Sequence, residues 1–179
     1  MVDKLKKDYD IEDTWVPQEI HPETPPEGRP LSDLFTYFDI QQLTSECRRR
    51  GEPYGLHFGD IVNLSNTRLS LEAAEFARSQ GRYHEFHHKV FEAYYSHGRD
   101  IGDMEVLRDV AQDAGLDPDA MEAALKEGSY RKAVSMGCLE ARDSGVTAIP
   151  AFFIEDMPMI TGAIPEDRFR EILDSLVEE

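Results

Sequence analysis

The run Val146-Thr147-Ala148-Ile149-Pro150-Ala151-Phe152-Phe153-Ile154 lies between a helical pattern that stops at Gly145 and the last helix of the chain. Its second half, Ala151 to Glu155, is short and apolar, which predicts a strand. Asp156-Met157 predicts a turn and Pro158-Met159-Ile160-Thr161 a second strand, so the two form an antiparallel hairpin. Pro165 is a helix-opening residue. The helix after it carries Phe169, Ile172, Leu173 and Leu176 on an inward face.

Upstream of this run, helical periodicity dominates. Residues 32–50 carry Leu34, Phe35, Phe38, Leu43 and Cys47, read as a short helix, a break and a longer helix ending at Gly51. Asn66 is a cap for a helix to residue 79 with Leu69, Ala73, Phe76 and Ala77 on one stripe. A helix over 82–96 presents Tyr83, Phe86, Val90 and Tyr94. Asp103 caps a helix with Met104, Leu107, Val110 and Ala114, ending at Gly115. Asp117-Pro118 opens another, closed by Gly128. A further helix starts at Ser129, carries Tyr130, Val134 and Ala141, and stops at Gly145. At the front, residues 1–8 read as the end of a helix and Tyr9 to Val16 as a strand. Four prolines within 20–30 make that segment an irregular connection. The order is strand, a block of about six helices, strand, strand, helix.

Composition limits what this architecture can do. The chain has 179 residues with 36 Asp+Glu against 19 Lys+Arg, a net charge of −17. A nucleic-acid surface needs clustered cations, and the best basic run is Arg48-Arg49-Arg50. Anionic lipid is repelled by the same charge. No stretch approaches the about 20 apolar residues of a membrane span, and the start Met1 to Lys7 lacks a signal-peptide core. A cytoplasmic location is expected. The two cysteines, Cys47 and Cys138, fall in no Cys-x-x-Cys or metal-ligand spacing, and in a reducing compartment they read as ordinary thiols.

Residues 146–154 resemble the "GV-x-x-x-P-x-F-x-I" segment of the DsbA-like thioredoxin superfamily. Trp15 to Gly28 looks like the segment after the second strand in its FrnE-like branch. Asn66-Thr67-Arg68-Leu69-Ser70-Leu71-Glu72-Ala73-Ala74-Glu75-Phe76-Ala77 is similar to that branch's "NSRLALEAAEFA" helix. His84-Glu85-Phe86-His87 with Phe91 to Tyr94, Arg99 to Asp103, Ala114 to Asp117, and Ile160-Thr161-Gly162-Ala163 continue the match, which runs from about residue 5 to the C-terminus. The resemblance extends to 2-hydroxychromene-2-carboxylate isomerases and kappa-class glutathione transferases. It implies an α/β thioredoxin-like fold with a large all-helical insertion. Residues 1–30 and 145–179 would form the incomplete thioredoxin-like domain and 31–144 the insertion. It also implies a cis-proline at Pro150. The backbone of Ile149 would pair with a thiol substrate's chain, and Gly162 and Ala163 would meet a peptide or a glutathione γ-glutamyl group.

The departure from the family is at the front. The resemblance implies an N-terminal strand leading into Cys-x-x-Cys at a helix start, where the thiolate is stabilised by the dipole. Neither is present, so the fold is expected to be N-terminally truncated. A start at an internal methionine, a homodimer or strand swap completing the sheet, or a rearranged sheet would each account for it.

Other candidates weigh less. Cys47 precedes a basic run of the kind that activates a thiol, but neither it nor Cys138 matches the family's nucleophile. His84 and His88 have i,i+4 spacing without the glutamate of a zinc motif, so no metal and no catalytic residue are assigned. Asn66 is a binding candidate whose capping role suffices by itself. The resemblance implies a thiol–disulfide oxidoreductase of the DsbA/FrnE type, inactive as a dithiol oxidase without Cys-x-x-Cys. It would use no cofactor, with glutathione as the one small-molecule ligand. A thiol- or disulfide-bearing protein would be its partner. The alternatives are a glutathione-dependent isomerase or transferase relative and a non-catalytic thioredoxin-like binding module.

Overall fold

A computed structural model describes residues 1–34 and 40–177; Phe35 and Phe38 of the anticipated apolar stripe lie outside the described residues. The elements are α1 (Val2–Leu5), β1 (Arg29–Pro30), α2 (Leu31–Leu34), α3 (Ile40–Gly51), β2 (Asn63–Leu64), α4 (Arg68–Ser79), α5 (Tyr83–Phe91), α6 (Met104–Asp113), α7 (Pro118–Glu127), α8 (Arg131–Asp143), β3 (Ala151–Phe152), β4 (Ile160–Thr161) and α9 (Glu166–Val177). A 3₁₀ turn covers Glu52–Tyr54, and α5 runs directly into a π turn over Glu92–Ser96. The chain divides into two compact units. One is Met1–Val16 with Leu139–Glu179; the other is Pro17–Cys138.

The larger unit is helical because its sequence repeats apolar residues at helical spacing and punctuates them with caps. Asp103 accepts a hydrogen bond from the Glu105 amide at 2.8 Å, and Asp117 accepts from the amides of Asp119 and Ala120 at 2.9 and 3.2 Å. These bonds satisfy donors that a helix start leaves unpaired. The stripes close on one core of Ala73, Phe76, Ala77, Phe86, Val90, Leu107, Val110, Ala111, Met121 and Leu125. Arg68 of α4 gathers the surrounding polar groups. It donates to Glu19 at 2.7 Å, to Glu72 at 3.2 Å, to Ser135 at 2.7 Å and to the Arg131 carbonyl at 3.3 Å. Residues 17–30 belong to this unit by their contacts. Pro17 packs so closely on Gly137 that a β-carbon there would sit 2.6 Å from the Pro17 ring.

The smaller unit is built around the β3–β4 hairpin, antiparallel in the register Ala151 with Thr161 and Phe152 with Ile160. Its core is Leu5 of α1 with Phe169 and Leu173 of α9, backed by Tyr9, Ile11, Phe152 and Ile154. Phe152 meets Phe169 edge-on with ring centroids 5.1 Å apart. Arg170 binds Asp8 and Glu166, which holds its guanidinium pKa well above the ordinary arginine value.

Four expectations are corrected. Residues 9–16 form no strand: this segment has no ladder partner among the described residues. Asp13, which strict alternation would place on one face with Ile11 and Trp15, instead binds Lys6 and the Trp15 indole N–H. The paired part of the hairpin is only two residues long on each side, since Phe153 onward leads into a turn with Glu155 at φ 45°. The helix anticipated over 82–96 is α-helical only to Phe91. Of the β1–β2 pair, Arg29 with Leu64 and Pro30 with Asn63, β1 falls at the end of the 20–30 segment read as irregular.

Candidate functional site

The sequence from α8 to β3 sets up an open loop. After α8, the buried Val146 anchors the chain, and Thr147, Ala148, Ile149 and Pro150 are then all exposed. The Ile149–Pro150 peptide bond is cis. Ile149 keeps 57% of its surface, and its backbone N–H and C=O form no hydrogen bond among the described residues. An exposed strand-leading segment with unspent backbone groups can pair with another extended chain.

The hairpin holds this loop against the approach to α9. The Gly162 amide donates to the Pro150 carbonyl at 2.7 Å, and the Ile164 amide to the Gly162 carbonyl at 3.0 Å. Gly162 has φ 87°, and a β-carbon there would meet nothing within 4 Å, so its conformation rather than crowding calls for glycine. Ile149, Pro150, Gly162 and the exposed Ala163 are thus assembled on one short stretch of the smaller unit. The first turn of α9 already carries Glu166 and Asp167, and Glu166 is engaged by Lys4 at 2.9 Å and by Arg170 at 3.0 Å.

The fifth candidate, Asn66, belongs to the helical unit. Its Oδ1 accepts from the Arg68 amide at 2.9 Å and its Nδ2 donates to the Thr24 carbonyl at 2.6 Å. Thr67 holds the cap position of α4 without a side-chain bond, so Asn66 does the capping from one residue further out. Cys47 and Cys138 are free thiols, both half-buried. Among the described residues no group of three or more His, Cys, Asp or Glu is arranged to hold a metal ion. The histidines of α5 do something else: His87 stacks on Phe91 with centroids 4.4 Å apart and on Tyr83 at 5.8 Å. In the sequence the i,i+4 spacing was weighed only for His84 and His88 as a metal pair, and the aromatic row through His87 was not read.

A hairpin led by the Ile149–Pro150 loop and closed by a helix, with a mainly helical unit inserted upstream that is not all-helical because it carries the short β1–β2 ladder, defines a protein of the thioredoxin-like α/β class. The chain belongs to the DSBA-like thioredoxin domain family, whose profile matches residues 1–174. It is 28% identical over 170 residues to the uncharacterized protein YwbO of Bacillus subtilis strain 168, covering 93% of this chain and 83% of that protein. Its fold is similar to the crystal structure of the probable DsbA oxidoreductase SCO1869 from Streptomyces coelicolor. There the TM-score is 0.81 at 21% identity, over 90% of this chain and 73% of the other. A 2-hydroxychromene-2-carboxylate isomerase matches with a TM-score of 0.74 at 17% identity, over 99% of this chain and 85% of the other.

Proposed function

We propose that the protein works in thiol–disulfide exchange as a DsbA/FrnE-type protein, receiving a thiol- or disulfide-bearing polypeptide along Ile149-Pro150 beside Gly162-Ala163. The carrying observation is the exposed Ile149 with its unspent backbone pair next to a Pro150 carbonyl already held by Gly162. In such exchange a thiolate attacks one sulfur of a disulfide, a new S–S bond forms, and the other sulfur leaves as a thiolate. Within these 179 residues no Cys-x-x-Cys supplies the attacking pair. What this chain's residues contribute is docking: two backbone hydrogen bonds from Ile149 and an apolar side chain beside them. A reducing, cytoplasmic setting suits two thiols that stay free, and no helix among the described residues is long and apolar enough to cross a membrane.

Family membership and the fold likeness to a DsbA-type structure support this reading. The glutathione-dependent alternative draws on the isomerase likeness in fold. An anionic ligand at the start of α9 would face Glu166 and Asp167, where the helix dipole is already complemented by carboxylates.

The test uses the ¹⁵N-labelled chain and a cystine-containing peptide. Amide shifts are expected at Ile149, Ala151, Gly162 and Ala163, and Ile149→Glu should weaken binding about tenfold. In insulin reduction or RNase reoxidation the chain should show no dithiol turnover. Robust turnover, or shifts confined to the helical unit, would overturn the proposal; glutathione shifting the same amides without the peptide doing so would favour the alternative.

A further inference from the structure

The β3–β4 hairpin has one edge open, and its ladder says which groups lie there. In an antiparallel pair, residues alternate between those that turn both backbone groups toward the partner strand and those that turn both away. The Gly162 amide donates to the Pro150 carbonyl, so Pro150 faces β4; Phe152, two residues on and opposite Ile160, faces it too. Ala151, and Phe153 beyond it, therefore direct their amide and carbonyl groups away from β4. Side chains keep the same alternation. Phe152 and Ile154 pack on the core of Leu5, Phe169 and Leu173, while Phe153 between them is 56% exposed. With Ile149, the edge offers backbone donors and acceptors together with two exposed apolar side chains.

Both ends of this edge are acidic. From Gly145 to Pro165 the chain has no Lys, Arg or His. Glu155 and Asp156 stand exposed where the edge runs out into the turn. Glu140 and Asp143 stand exposed on the last turn of α8, which leads into the edge from the other side and adds the negative end of its dipole. Arg142 in that turn lies 3.7 Å from Asp143, and on α9 Arg168 is paired with Glu171 and Arg170 with Asp8 and Glu166. Each of these features selects something about an occupant. The open backbone groups fit an extended polypeptide, because a strand carries unpaired amides and carbonyls and a helix does not. Ile149 and Phe153 fit apolar side chains. The carboxylates at the two ends repel acidic residues and attract Lys or Arg, which acts on both encounter and choice of partner.

We propose that this edge selects basic extended polypeptides: a strand with apolar residues over Ile149 and Phe153 and Lys or Arg at its ends, beside Glu155–Asp156 and Glu140–Asp143. The inference rests on the docking proposed above and names its substrate class. Three cystine-bridged peptides test it, identical in their apolar middle and carrying Lys, Gln or Glu on either side. Titrated into the ¹⁵N-labelled full chain at about 20 mM salt, the Lys peptide should bind at least about tenfold more tightly than the Gln peptide, with the Glu peptide weakest. The difference should narrow at about 300 mM salt. Asp143→Lys and Asp156→Lys should each reduce the preference for Lys. Glu127→Lys changes the net charge equally on an exposed position of α7 and should leave the preference intact. Equal affinity for the three peptides overturns the inference and leaves the docking in place, as does a preference that falls equally in Glu127→Lys. Lys-peptide shifts confined to acidic surface away from Ile149, Ala151 and Phe153 also overturn it. If no peptide shifts those amides, the docking itself fails and the inference with it.

Discussion

Tyr94 shows how one side chain limits the pH range of the fold. Burial pushes its phenol up to about 12 from the ordinary tyrosine value near 10, and its hydroxyl donates to the Asn63 carbonyl at 3.0 Å. The raised value means that the folded chain holds this proton more tightly than the unfolded chain does. The stabilisation is therefore complete below pH 10 and is lost as pH rises toward 12. Tyr94→Phe should cost about 1 kcal/mol at pH 8 through the lost hydrogen bond. It should also flatten the decline of stability between pH 10 and 12 in urea titrations; an unchanged alkaline slope would remove Tyr94 as its source. Asn66 carries a related lesson. Sequence alone leaves it between ligand and cap, and its two polar atoms are both spent within the unit, on Arg68 and on Thr24.

Elements were legible where the sequence carries a chemical stop or start. Asp103, Asp117-Pro118 and Gly128 bound α6 and α7 because a side-chain acceptor or a left-handed residue is needed at those places. The hairpin was legible in its two short apolar runs around Asp156-Met157 and the Ile149–Pro150 loop through family likeness, while the exposure of Ile149 was not, since it depends on what the surrounding chain leaves open. The supposed strand at 9–16 misled because alternation resembles a strand even when Asp13 is bound locally by Lys6 and Trp15. The π turn has no period of its own to read. It is fixed by tertiary contact: the Gly59 amide donates to the Tyr95 carbonyl at 2.9 Å, and a β-carbon on Gly59 would lie 2.4 Å from the Ser96 carbonyl oxygen. Gly59→Ala should therefore push the 57–60 loop off the π turn at a cost of about 1–3 kcal/mol. Hydrogen exchange should quicken at residues 57–60 and 94–97 while α6 and α7 stay protected. Uniform loss of protection would instead mean that the loop and the helical core open as one.

The whole chain distributes its apolar burial unevenly. The helical unit closes on a broad core running from Ala73 to Leu125, whereas the smaller unit buries fully only Leu5, Phe169 and Leu173 of its main cluster. Stability scales with apolar area removed from water, about 25 cal/mol per Å², so the smaller unit is expected to open first. The chain supplies its own probe: Trp15 is the single tryptophan, and it lies in the smaller unit with its indole N–H on Asp13 at 2.7 Å. Helices α3 to α7, all in the helical unit, supply most of the far-UV dichroism. In a urea titration the Trp15 fluorescence change should come at lower denaturant than the loss of ellipticity, a departure from two-state behaviour that noncoincident probes reveal. Hydrogen exchange should agree, with amides of 169–173 released before those of 73–77 and 107–111. Coincident curves from both probes would mean that the two units unfold cooperatively and that the small core is stabilised by more than the side chains it buries.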